Sequence, residues 1–365
     1  MREVDVAVIG GGQAGLAIGY YLRRAGLTPG EDFVILDAAD EPGGAWPRMW
    51  EGLRLFSPSS FSSLPGWMMP PWNDTEGGFP PRQHVVDYLT AYEQRYELTP
   101  LRPHRVRSVT RADDGPRGCL LVSAPDLHFS ARFVVSATGT WDQPFWPVYP
   151  GASDFQGRQL HTAGYCTPHE FAGHRVAIVG GGNSAAQILA EVSTVAETTW
   201  LTPREPRLLP DKVDGRALFA AATERVRAQQ QGLDHPGVGE LGDIVAVASV
   251  REARDRGVLD AHPMFDRMTK TGLAREDGSE ETVDTIIWCT GFRPALRHLS
   301  GLHLRDATGR LPTTGSADTQ AVVEPRLFLV GYGDWTGPAS ATLIGVGRTA
   351  RDTAAEIVRQ VKGEG

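Results

Sequence analysis

Gly10, Gly12 and Gly15 stand at the spacing G-x-G-x-x-G, and the same rhythm returns at Gly180, Gly182 and Ala185. That spacing suits phosphate binding. The first glycine makes a tight turn, the second lets backbone approach a pyrophosphate, and the third, or a small substitute, lets a helix pack closely on a strand. Gln13 and Ala14 complete the first turn, Asn183 and Ser184 the second. A helix beginning there offers N–H groups and the positive end of its dipole to an anion. "VAVIGGGQAGLAI" at 6–18 and "VAIVGGGNSAAQI" at 176–188 align without a gap, so the chain is expected to carry two nucleotide-binding units.

The residues that follow each turn differ in charge. Asp37 comes after the apolar run "FVIL", where a carboxylate can accept hydrogen bonds from a ribose. The second unit ends instead in "WLTPREPR", with Thr202 where an NAD site keeps an acid and Arg204 close behind. An arginine there can bind a 2′-phosphate, which favours NADPH over NADH. Between the two units, Phe155, Gly157, His161 and Tyr165 hold the spacing F-x-G-x-x-x-H-x-x-x-Y in what reads as a polar loop. Cys119, Cys166 and Cys289 are isolated, with no C-x-x-C pair and no metal-ligand spacing, so no metal is expected and a reducing compartment is.

Strands, turns and helices must position these groups. Val4–Ile9 reads as a buried strand, Gln13–Ala25 as a helix, and "DFVILDA" as a second strand. Residues 46–72 are rich in Trp, Pro and Ser and lack periodicity, so they read as a packed lid or a substrate wall. "HVVDYLTAYEQRYEL" is helical in spacing, "ARFVVSATGTW" is a strand, and residues 203–265 read as helices with loops. "TTWLT", "DTIIWCTGF" and "RLFLVGYGDWTG" are further strands, and "SATLIGVGRTARDTAAEIVRQV" is expected to close the chain as one helix. Strands alternating with helices imply parallel sheets and an α/β class.

A length of 365 residues suits two domains. With 41% apolar and 22% charged residues the composition is that of a globular protein. A net charge of -8 argues against a nucleic-acid surface and against a polybasic membrane patch. No apolar run is long enough to span a bilayer and the first strand leaves no room for a signal peptide, so a cytoplasmic location is expected.

With one nucleotide site near the start and a second inserted mid-chain, the layout resembles that of flavoproteins with two dinucleotide-binding domains. The F-x-G-x-x-x-H-x-x-x-Y motif before the second glycine turn resembles the fingerprint of class B flavin monooxygenases. "GGAW" at Gly43–Trp46, "SATGTW" around Gly139, "GGGNS" at Gly180–Ser184 and "CTGF" at Cys289–Phe292 add to the likeness. Within that class, "LRLFSPSSFSSLPGWMMP", "LPDKVDGR", "GELGDIVAV" and "GYGDWTGPASATLIGVGRTAR" resemble the flavin-binding monooxygenases of arsenic-resistance operons.

The resemblance implies an α/β fold of two Rossmann-like domains, with FAD on 1–160 and 291–365 and NADPH on an inserted 161–290. It implies a flavin hydroperoxide that oxygenates a soft nucleophile, a trivalent arsenical or else an organic amine or sulfide, with dioxygen as co-substrate. Gly44, Trp46, Gly139, Gly291 and Asp334 join the expected cofactor contacts, Asp334 on the ribityl chain. The fingerprint residues are expected to serve the crossing between domains, His161 structurally, because the flavin is the oxidant. One departure is Tyr165–Cys166, where Baeyer–Villiger members have Trp followed by Pro or Asp, and it favours heteroatom oxygenation. A disulfide reductase would need the missing C-x-x-C pair, while a non-catalytic redox sensor would need only one nucleotide. Homodimerisation is left open.

Overall fold

A computed structural model describes residues 1–73, 79–112, 115, 118–230, 244–315 and 317–363. Its strands are β1 (Arg2–Ile9), β2 (Phe33–Leu36), β3 (Ser108–Arg111), β4 (Leu120–Ser123), β5 (His128–Ser136), β6 (Arg158–His161), β7 (Arg175–Val179) and β8 (Glu197–Thr202). They continue with β9 (Ala261–Pro263), β10 (Arg267–Met268), β11 (Gly272–Ala274), β12 (Glu280–Thr282), β13 (Thr285–Trp288), β14 (Thr313–Thr314), β15 (Gln320–Ala321) and β16 (Leu327–Leu329). The α-helices are α1 (Gln13–Arg24), α2 (Arg82–Arg95), α3 (Asn183–Val192), α4 (Gly215–Gln230), α5 (Ala248–Asp255) and α6 (Val346–Val361).

Two parallel sheets organise the molecule. In the first, β16, β5, β1 and β2 run parallel in that order, and β15 and β14 extend it antiparallel beyond β16. The hairpin β3–β4 pairs with the opening residues of β5. The second sheet, in the order β6-β13-β7-β8-β9, is parallel throughout, and β10-β11-β12 form a small antiparallel sheet. Strands β1, β2 and β7 are apolar along most of their length because parallel strands are covered on both faces. Val6, Val8, Leu16, Ile18, Phe33, Ile35, Val346 and Ile357 form one core with the face of α2 carrying Val85, Tyr88 and Leu89. Ile178, Ile188, Leu189, Trp200 and Ile287 anchor the core of the second sheet.

The α/β architecture with two dinucleotide-binding units is thus the observed one, with three local differences from the sequence expectation. The first is that the polar loop of the fingerprint contains a strand: β6 pairs with β13, Leu160 opposite Ile287 and His161 opposite Trp288. The domain bound expected at 160/161 falls inside this strand. The second is that the closing helix starts at Val346, later than Ser340, because the residues before it fold as turns. A Cβ on Gly345 would lie 2.1 Å from the Ala339 carbonyl oxygen, and the Thr342 hydroxyl accepts from the Gly345 N–H at 3.0 Å. The third is a detail the expectation lacked: residues 46–57, part of the segment 46–72 read as a packed lid or a substrate wall, pack on the second unit. Trp50 is buried in the core of the second sheet, and Phe56 stacks on Phe219 of α4 with ring centroids 6.5 Å apart. Part of "GELGDIVAV", residues 239–243, lies outside the described residues.

Candidate cofactor sites and the crossing between them

Each glycine turn follows the carboxyl end of a central parallel strand, β1 or β7, where open α/β sheets bind ligands. Gly10 and Gly180 have φ of 110° and 139°, a region that side chains avoid, and a Cβ on either would strike the loop beyond the neighbouring strand. That atom would fall 2.4 Å from the Ala137 oxygen in one unit and 2.3 Å from the Cys289 oxygen in the other. At Gly15 it would lie 1.8 Å from the Gly10 oxygen, whereas Ala185 is accommodated, fully buried, in the second unit. Gly12 and Gly182 behave differently. A Cβ on Gly12 would meet only the Gly44 Cα, at 3.6 Å, and one on Gly182 would meet nothing within 4 Å. The outer glycines are therefore required by the protein's own packing, and the middle ones leave a cradle at the start of α1 and α3. A phosphate-bearing cofactor fits both.

Several expected contacts of the first site hold one another. Gln13 donates its amide to the Ala341 oxygen at 2.7 Å and accepts from the Trp46 indole at 3.2 Å, joining three distant segments at the head of α1. Ala14 is buried beneath this link, and the Gly44 Cα rests on Gly12. Asp37 follows β2 but does not stand alone: its carboxylate accepts from the Arg102 guanidinium at 2.8 Å, and Arg102 also grips Glu93 of α2 at 2.9 and 2.5 Å. Burial pushes the Glu93 carboxyl up, and the bond from Arg102 opposes that. Asp334 is exposed in a short 3-10 turn, Gly333–Thr336, after β16. Sequence reasoning missed Arg102, in a turn, and Glu93, on α2, because no motif surrounds either.

In the second unit a cleft of 340 Å³ is lined by Gly181, Gly182, Pro203, Arg204 and Pro206, so the exposed Arg204 shares one surface with the glycine turn. Ser184 is half-buried at the second position of α3. The Asn183 side-chain oxygen accepts from the Val245 N–H at 2.8 Å, tying the head of α3 to the chain ahead of α5.

Loops leaving β5 and β13 cross side by side between the units. Ala295 N–H donates to the Gly139 oxygen at 2.9 Å, Phe145 N–H to the Gly291 oxygen at 3.0 Å, and Trp141 stacks on Phe292 with centroids 5.0 Å apart. Gly139 and Gly291 both carry positive φ, and a Cβ on either would meet nothing within 4 Å. The carboxyl ends of both parallel sheets thus converge on one crossing.

The fingerprint residues surround it. Phe155 belongs to the core that holds Val179 and Trp288, and its ring lies over Gly157, where a Cβ would fall 2.3 Å from the ring. His161 is 2% exposed, accepts at Nδ1 from the Ala163 N–H and bonds the Gly291 oxygen through Nε2 at 3.0 Å. The first bond requires a bare Nδ1 and the second a protonated Nε2, so both nitrogens of a neutral ring are used. Burial lowers the pKa of His161, and the bond to Gly291 opposes that only in part. No nitrogen is left for proton transfer to a substrate. Tyr165, 1% exposed, donates to Glu191 of α3 at 2.8 Å. Beneath the crossing, His298, Ser136, Tyr332 and Thr138 form a hydrogen-bonded chain, with burial holding His298 at about 4.

Among the described residues no group of His, Cys, Asp and Glu could hold a metal ion. Cys166 is exposed, and burial pushes the Cys289 thiol up to about 12. No helix of the described residues is long and apolar enough to cross a membrane.

The family model described as pyridine nucleotide-disulphide oxidoreductase matches residues 7–331. A solved structure, the flavin-containing monooxygenase from Stenotrophomonas maltophilia, is 50% identical, covers 99% of this chain and 100% of its own, and superposes with a TM-score of 0.86. The chain belongs to the pyridine nucleotide-disulphide oxidoreductase family and, within it, to the flavin monooxygenases. The uncharacterized oxidoreductase CzcO of Bacillus subtilis is 28% identical over 99% of each chain. Indole-3-pyruvate monooxygenase YUCCA1 of Oryza sativa subsp. japonica is 28% identical over 85% of this chain and 82% of that protein. Family and relatives imply FAD and NADPH as cofactors, and a small molecule and oxygen as substrates.

Proposed function

We propose that the chain is a cytoplasmic FAD-dependent NADPH monooxygenase acting on a small soft nucleophile, and that the nucleophile is a trivalent arsenical. The observation that carries the oxygenase reading is the convergence of two cradled glycine turns on one crossing, with Arg204 beside the second. Residues 1–157 and 291–365 serve FAD in this reading, and 158–290, which include β6, serve NADPH. The arsenical rests on the sequence segments that resemble arsenic-operon monooxygenases.

The protein's own part is binding, orientation and exclusion of water. Backbone N–H groups at the head of α1 hold a pyrophosphate against Gly12, and Gln13 keeps Trp46 and Ala341 in place around it. Asp37, oriented by Arg102, accepts from the ribose, and Asp334 contacts the ribityl chain. Ser184 and the head of α3 hold the second pyrophosphate, while Arg204 binds the 2′-phosphate that distinguishes NADPH. FAD activates oxygen and NADPH supplies two electrons. One oxygen atom would join the lone pair of the substrate, and the other would leave as water, balanced by the hydride of NADPH and one proton from solvent. Because both nitrogens of His161 are engaged, no side-chain acid at the crossing is assigned to this transfer.

Labelled dioxygen tests the proposal. Arsenite and NADPH should give arsenate carrying one labelled oxygen per NADPH consumed, unaffected by catalase. Arsenate formed only as fast as free peroxide makes it would remove the arsenical and leave the oxygenase reading standing. Stimulated NADPH use with matched oxide from an amine or a sulfide would assign the substrate to that class instead.

A further inference from the structure

Glu191 lies on α3, two turns past the second glycine turn, in no motif that the sequence displays. Its two carboxylate oxygens are divided between two donors from different parts of the chain. Oε1 accepts from the Trp50 indole at 3.2 Å, and Oε2 from the Tyr165 hydroxyl at 2.8 Å. Both donors are buried, at 4% and 1% exposure, and their rings meet edge-on with centroids 6.3 Å apart. The backbone follows the same seam: Glu51 N–H donates to the Cys166 oxygen at 3.1 Å, and a Cβ on Gly52 would fall 2.0 Å from Glu191 Oε1.

Residues 44–50 therefore form a strap with one end at the first glycine turn and the other in the core of the second unit. Gly44 rests on Gly12, and Trp46 bonds Gln13 at the head of α1. Trp50, six residues beyond Gly44, sits in the core of the second unit and ends on Glu191. Arg82 of α2 stiffens the middle by donating to the Pro47 oxygen at 2.9 Å and to the Met49 oxygen. Tyr165 brings the fingerprint to the same carboxylate. We propose that Glu191 is a positioning residue, which fixes how the NADPH unit is set against the FAD unit by holding the strap and the fingerprint together. The inference rests on the oxygenase reading above. Its consequence is specific: losing the carboxylate should slow electron delivery from NADPH while leaving each cofactor's own binding intact.

Chemistry at the carboxylate makes the test selective. A glutamine can accept from Trp50 with its oxygen and donate from its amide to the Tyr165 oxygen, since a phenol also accepts. An alanine leaves both buried donors unpaired. In the purified holoenzyme, Glu191→Ala should keep full FAD content and an NADPH Kd within about twofold of the parent, yet show anaerobic flavin reduction about tenfold slower, since misplacing reactants acts on rate. Glu191→Gln should lie within about twofold of the parent in all three measurements. Trp50→Phe keeps a six-membered aromatic ring in the core but removes the five-membered ring with its N–H donor, so beyond the stability lost to the smaller ring it should slow reduction, and combining it with Glu191→Ala should add little to that slowing, as for residues acting as one unit.

Reduction of Glu191→Ala at the parent rate would overturn the proposal, as would Glu191→Gln as slow as the alanine variant, or additive losses in the double variant. Should Glu191→Ala fail to fold, Trp50→Phe decides: a parent-like rate overturns the proposal and slower reduction with intact NADPH binding supports it. A parent protein that holds no flavin, or whose flavin NADPH does not reduce, would instead sink the functional reading itself.

Discussion

The imidazole of His161 reaches the carbonyl oxygen of Gly291 at 3.0 Å, tying the end of one strand in the second sheet to the loop that leaves its neighbour. Trp146 and Phe292 enclose the ring, with centroids 5.8 and 4.9 Å away. His161→Ala is expected to retain FAD, reduce it more slowly and leak more hydrogen peroxide, because the crossing loses a strut and no proton donor. Flavin content measured beside peroxide yield checks this. Full coupling and full rate in the variant would refute the role of the fingerprint at the crossing.

The glycines of the first turn should separate by phenotype. Gly12 has φ of -80°, which suits any residue, and its nearest neighbour to an added Cβ is 3.6 Å away. Gly12→Val should fold, with little change in Tm, and purify without FAD. Gly15→Ala places its Cβ 1.8 Å from the Gly10 oxygen and should destabilise the fold by about 1–3 kcal/mol or more. Thermal unfolding and absorbance of the purified proteins distinguish the two outcomes.

Arg204 shares its cleft with Gly181 and Gly182. A charge-assisted bond to a 2′-phosphate contributes about 1.5–3 kcal/mol, so Arg204→Ala should raise the KM for NADPH about ten- to a hundredfold. Kinetics with NADH should hardly change. Equal losses with both nucleotides would show that Arg204 supports the loop and does not read the phosphate.

Arg102 stands between Asp37 and Glu93, and the three side chains are only 8–11% exposed. Arg102→Met would leave two buried carboxylates without their cation, a loss of about 3–5 kcal/mol for a broken buried pair. Glu93, already pushed up by burial, should then take a proton first. Denaturant unfolding at pH 7 and at pH 5 measures this. Protonation relieves the repulsion, so the deficit of the variant should shrink at the lower pH.

Both glycine turns, the strands feeding them and the α/β class were legible in the sequence because each is local. Strand, turn and helix lie within about two dozen residues, and buried parallel strands write themselves as apolar runs. The fingerprint was legible as a spacing, although the strand inside it was not. The four residues of β6 are held by pairing with β13, more than a hundred positions away, and carry no run of their own. Residues 46–57 had no periodicity because, beyond one 3-10 turn at Trp46–Arg48, their order comes from contacts with α2, α3 and α4.

Only the tertiary structure decided the partners of the site residues. Asp37 was readable as an acid after a strand, but its pairing with Arg102 spans 65 positions, and Trp50 meets Glu191 across 141. A single hydrogen bond between distant side chains leaves no repeating trace in sequence. It forms because burying a donor or a charge without a partner costs about 1–3 kcal/mol or more, and folding brings within reach the one group that can satisfy it.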